Sequence, residues 1–97
     1  MSSFLFALPA DFADYEWEVA AKGCFSEARI TVSEKRYRLN FYDAARLAQE
    51  IESEHMRGGM FFEPNLVIIR SVTRSDMEQA AQQLVQTGRM ASLAEEQ

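Results

Sequence analysis

The stretch that decides the fold is Tyr37–Gly88, YRLNFYDAARLAQEIESEHMRGGMFFEPNLVIIRSVTRSDMEQAAQQLVQTG. It reads as strand, helix, strand, helix, with start and stop signals at nearly every boundary. In its first helical part Ala44, Leu47, Ala48, Ile51, His55 and Gly58 recur with the 3.6-residue period of one helix face, and Arg46, Glu50, Ser53, Glu54 and Arg57 hold the other. Asp43 is placed to cap it, because its carboxylate can accept from the orphan amides of the first turn. Tyr42 and Leu47 then form a hydrophobic staple. Arg57 complements the negative dipole end, and Gly58-Gly59 permits a left-handed stop.

The second helix has the same grammar. Met77, Ala80, Ala81, Leu84 and Val85 line one face, Gln79, Gln82, Gln83 and Gln86 the other, and Gly88 ends it. Two starts compete. Thr73 as cap pairs Val72 with Met77 in a staple, whereas Ser75 with Glu78 makes a capping box.

Three segments before and into this block alternate apolar with polar residues. They are Tyr15–Ala21, Ala28–Val32 and Tyr37–Phe41, and period-two alternation predicts half-buried strands. Short polar connections make an antiparallel meander the economical arrangement. Leu66–Val72 differs, since Leu66, Val67, Ile68 and Ile69 leave no polar side. Such a strand is expected inside a sheet and parallel to a neighbour, with the first helix as a right-handed crossover. The expected fold class is therefore α+β: a single domain over 1–97, two-layer, with a mixed, mainly antiparallel sheet in the order β-β-β-α-β-α. Both helices pack on one face. Residues 1–10 form an N-terminal arm or an extra strand through Phe4–Leu8, and 90–97 form a frayed tail.

On the face without helices, Glu16 and Glu18 are expected beside Arg29, Arg36 and Arg38 as cross-strand ion pairs. Val67 and Ile69 are expected to present apolar surface there, covered by Phe4–Leu8 or by a second copy of the chain.

Composition agrees. Ninety-seven residues with 47% hydrophobic content and seven Phe can bury a core without staples. One cysteine, Cys24, excludes an internal disulfide and points to a reducing, cytoplasmic compartment. Nothing reads as a signal peptide or a membrane span. The net charge of −5 hides a basic island at residues 25–42. Tyr37 and Phe41 alternate away from Arg36 and Arg38, and a pI near 4.8 disfavours phosphate, so nucleic acid is not the expected partner.

Catalytic and cofactor signatures are missing. His55 is the sole histidine and sits on the inner face of its helix without a catalytic partner in sequence. A lone His and a lone Cys do not supply a metal site, and no cofactor is implied. Gly58-Gly59 follows a helix rather than preceding one, so it is not a phosphate loop. Thr73–Asp76 lies where a strand feeds a helix, but capping accounts for its hydroxyls and Asp76 would repel an anion.

Two features are left unexplained by structure. The connection Arg57–Asn65 sets Met60, Phe61 and Phe62 between a double glycine and Pro64, either as the leading half of the fourth strand with both rings in the core and Pro64 at a bulge or edge, or as a grouping typical of partner anchors. With Val67 and Ile69 these are the interaction candidates. Arg70 interrupts an apolar strand; either it sits at the strand end and snorkels to water, or it is buried, needs an anionic partner and with His55 and Tyr42 lines a ligand pocket between helices and sheet. The leading expectation is a non-enzymatic protein-interaction or regulatory module, self-associating as a homodimer. By size and composition it is comparable to small bacterial accessory proteins. The alternative is a small-ligand-binding domain.

Overall fold

The computed structural model describes residues 3–96. Strands β1 (Leu5–Ala7), β2 (Cys24–Val32), β3 (Lys35–Tyr42) and β4 (Leu66–Ile68) form one sheet in the order β1-β2-β3-β4. The helices are α1 (Glu16–Lys22), α2 (Ala44–Met56) and α3 (Arg74–Gln86), with short 3-10 turns at Phe12–Asp14 and Arg89–Ser92. The α+β class and the mixed sheet are as expected: β1-β2 and β2-β3 are antiparallel, and β3-β4 is parallel across α2.

The anticipated caps are in place. Asp43 Oδ1 accepts from the Arg46 amide at 2.7 Å, and Gly58 takes a φ of 80° just beyond α2. Of the two possible starts for α3, Thr73 is the cap. Its hydroxyl accepts from the Asp76 amide at 3.3 Å, and Val72 and Met77 are both fully buried as the staple requires. Gly88 ends that helix with a φ of 71°.

One element is of the other type. Tyr15–Ala21, expected as a strand, is the helix α1. The alternation of aromatic and acidic residues over so few positions also fits a helix, in which Tyr15 and Val19 share a face four residues apart. Val19 is buried, whereas Trp17 points outward and is 71% exposed. Glu, Ala and Lys favour the helix, Glu16 and Glu18 occupy its positive end, and Gly23 closes it in the left-handed conformation. The first strand is instead Leu5–Ala7 within Phe4–Leu8, paired with Arg29–Thr31 of β2.

The core lies on one face of the sheet. Phe12, Val19, Phe25, Ala28, Ile30, Leu39, Phe41, Val72, Met77 and Ala81 form it, with Phe12 and Phe25 edge-to-face at 5.1 Å. Helix α3 contributes Met77, Ala80 and Ala81, but α2 contributes no buried residue. Its apolar stripe, expected to cover the core, stays half-buried at Leu47 and Ile51 and exposed at Ala44, Ala48 and His55.

Register settles the fourth strand. Phe41 lies beside Val67 and Tyr42 beside Ile68, so Val67 shares the core face with Phe41. Val67 and Ile69 pack against the core rather than presenting apolar surface opposite it. Ile68 is on the open face and 54% exposed. The strand is an edge, not an interior strand, and it is short because β3 ends at Tyr42, whose carbonyl takes the Ile69 amide at 2.9 Å.

Candidate functional site

The connection between α2 and β4 is built onto the open face. Beyond Gly58 the Gly59 amide donates back to the Glu54 carbonyl at 2.9 Å, turning the chain away from the helix end. Phe61 then packs edge-to-face on Tyr42, with ring centroids 5.7 Å apart. Tyr42 Oη donates to Glu63 Oε1 at 3.3 Å, and the buried Asn40 donates from Nδ2 to the Pro64 carbonyl at 2.6 Å. Asn65, at a φ of 53°, makes the turn into β4.

This anchoring separates adjacent phenylalanines. Phe61 faces the sheet, so Phe62 faces outward and is 74% exposed, with Met60 at 76%. Ile68 lies on the same sheet face as Tyr42, the residue Phe61 covers, and Met56 ends α2 as a further exposed apolar side chain. Exposed Met and aromatic side chains are common in partner surfaces. Of the five interaction candidates, Met60, Phe61 and Phe62 come together here, whereas Val67 and Ile69 serve the core. Ile68 was missed because residue parity in a parallel edge strand depends on its pairing register, which no local pattern encodes.

The ligand-pocket candidates do not share a site. Arg70 has a side chain 90% exposed, with its guanidinium 4.0 Å from Asp76, so it reaches water rather than a buried anion. His55 is exposed in the last turn of α2. Tyr42 instead borders a half-enclosed cavity of about 330 Å³ where β2 begins and β3 ends, walled by Tyr15, Cys24 and Phe25 with Glu27 and Glu63. Burial, then the Glu63 carboxylate, pushes the Tyr42 phenol up to about 12. The Tyr15 phenol is raised as well, by burial first and then by Asp11 and Glu27. Both groups therefore remain neutral hydrogen-bond donors across the physiological range. Tyr15 carries no sequence signal that joins it to Tyr42, because the alternation over Tyr15–Ala21 fits a strand as well as the helix it starts.

Among the described residues, no set of three His, Cys, Asp or Glu side chains is placed to hold a metal ion. No helix of the described residues is long and apolar enough to cross a membrane. Comparison with protein-family models, curated proteins and solved structures finds no match, so function must be argued from this chain's own geometry.

Proposed function

We propose that the protein is a non-enzymatic protein-interaction module, acting in the cytoplasm and self-associating through the exposed Met60 and Phe62. The observation that carries this reading is the outward projection of Phe62 from a loop that is itself pinned through Phe61, Glu63 and Pro64. A rigid loop presenting apolar side chains loses little conformational entropy on docking. Ile68, on an edge strand with one side unpaired, is a further exposed apolar side chain. The separation of His55 from the cavity that Cys24, Glu27 and Glu63 line supports a non-enzymatic role, and the single half-buried Cys24 suits a reducing compartment.

The test is light scattering coupled to size-exclusion chromatography over a range of concentrations, with the Phe62→Ser and Phe61→Ala variants. Self-association that Phe62→Ser abolishes while leaving unfolding by urea unchanged is the expected result. Phe61→Ala should instead lower stability by about 1–3 kcal/mol, since it removes a packed ring. A monomer at every concentration would overturn the homodimer. It would favour the second reading, a small-ligand-binding domain, whose support is the cavity between Tyr15 and Tyr42.

A further inference from the structure

The open face has a second, chemically different region at the other end of β3. Here Arg29 of β2 stands directly opposite Arg38 of β3, and Thr31 opposite Arg36. Like charges directly across a strand pair are destabilising, so this arrangement costs stability unless anions answer it. The acidic residues expected to do so, Glu16 and Glu18, are on α1 instead.

One carboxylate does answer it, from the end of the chain. Glu96 forms a two-pronged pair with Arg29, at 3.1 Å from both Nε and Nη2. Its backbone amide donates to the Arg36 carbonyl at 2.7 Å. Two residues earlier, Ala94 is clipped by Asn65, which accepts from the Ala94 amide and donates to its carbonyl, each at 2.8 Å. The same Asn65 amide donates to the Arg38 carbonyl at 2.9 Å. Ala94–Glu96 thus lies along the edge of β3 below β4, where the short β4 pairs only Asn40–Tyr42. It serves Arg29 alone. Among the described residues, no carboxylate lies within ion-pair distance of Arg36 or Arg38, and both are exposed.

We infer that the β3 edge at Arg36–Arg38, with Arg29, is a docking site for an extended acidic segment of a partner protein, and that this chain's own Ala94–Glu96 is a displaceable placeholder in it. Charge and spacing support the assignment together. Arg36 and Arg38 are two residues apart on one face, the same repeat at which a strand presents carboxylates at alternating positions. An added strand would displace Ala94–Glu96, take over the Arg36 carbonyl from the Glu96 amide, and draw its selectivity from the arginine row, whose guanidinium groups suit two-pronged carboxylate pairing. Nucleic acid is the less favoured partner, because Tyr37 and Phe41 are buried on the opposite face and offer no stacking platform beside the arginines. This site is independent of the Met60/Phe62 surface and does not need the protein to self-associate.

The test uses the full chain labelled for amide NMR, titrated with a short blocked peptide alternating glutamate and valine. The expected result is saturable shifts at Lys35–Leu39 and Ala94–Glu96 that weaken with salt. Arg38→Gln should weaken binding by roughly fivefold, the upper range for one exposed ion pair. Glu96→Gln should tighten it, because the competing carboxylate is gone. No shifts up to about 1 mM peptide, or equal binding of a lysine-valine peptide, would overturn the inference. So would weaker binding by Glu96→Gln, which would make that residue part of the site rather than its occupant. Shifts at the same arginines with a short oligothymidylate but not with the acidic peptide would assign the face to nucleic acid instead.

Discussion

Gly23 and Asp43 are in direct contact, joining the end of α1 to the start of α2. The Gly23 carbonyl accepts from the Asp43 amide at 2.8 Å, and a Cβ on Gly23 would stand 2.5 Å from Asp43 Oδ2. The same carboxylate caps α2, so one glycine both ends a helix and makes room for the cap of the next. Gly23→Ala should cost about 2 kcal/mol, one part for holding a left-handed φ and one for displacing the cap. Urea unfolding measures it. In an Asp43→Ala background the same substitution should cost only about 1 kcal/mol, because the clash is gone. Equal costs in both backgrounds would show that the two residues are not coupled.

Asn65 links three segments through its side chain and turns the chain at a φ of 53°. Asn65→Gly keeps the turn and loses the hydrogen bonds, and should destabilise by about 2 kcal/mol, the net worth of such bonds. Asn65→Ala should cost about 1 kcal/mol more, since alanine pays for the left-handed backbone. In both variants the Ala94 amide should exchange with solvent faster, which hydrogen exchange reads directly. An Ala94 amide equally protected in wild type and variants would show that Asn65 does not hold the segment.

Tyr42 gives the protein a pH dependence on the alkaline side. Its phenol is raised from 10.0 to about 12 in the folded chain. The folded state therefore binds this proton more tightly than the unfolded state. Its contribution is complete below pH 10, the ordinary phenol value, and is lost as pH rises toward about 12. A phenolate absorbance titration of wild type against Tyr42→Phe should show the missing transition near the upper value. Glu63→Gln should lower it while leaving it above the ordinary value, because burial is the larger cause and remains. A missing transition at the ordinary value would contradict the buried, carboxylate-paired phenol.

Much of this fold was legible along the chain. Asp43, Gly58 and Gly88 mark helix ends because capping is a matter of a few consecutive atoms, and α2 and α3 carry a period sustained over 13 residues each, whereas the choice of Thr73 over Ser75 to start α3 came from the structure. The seven-residue α1 was not legible, since so short a segment supports two periods equally. The burial of α2 was not legible for a different reason. Amphipathic pattern identifies which face of a helix is apolar, but not which layer it meets, and α2 lies apart from the core that α3 covers.

The candidate surfaces divide the same way. The MFF connection was noticeable from composition, and opposite orientation of Phe61 and Phe62 follows from extended backbone alone. Which ring turned inward was decided by Tyr42, a residue 19 positions away by sequence number. The arginine row was visible as a basic island, yet its opposition of Arg29 to Arg38 and its occupation by Glu96 required strand register and the return of the chain end. By itself, then, the sequence determined both ends of α2, the C-terminal end of α3, the β3-α2-β4 crossover and the α+β class, because those depend on contacts between near neighbours. Only the tertiary structure decided the parity of β4, the exposure of Ile68 and Phe62, and the meeting of Glu96 with Arg29. Those depend on register between distant strands, where a shift of one residue exchanges the two faces.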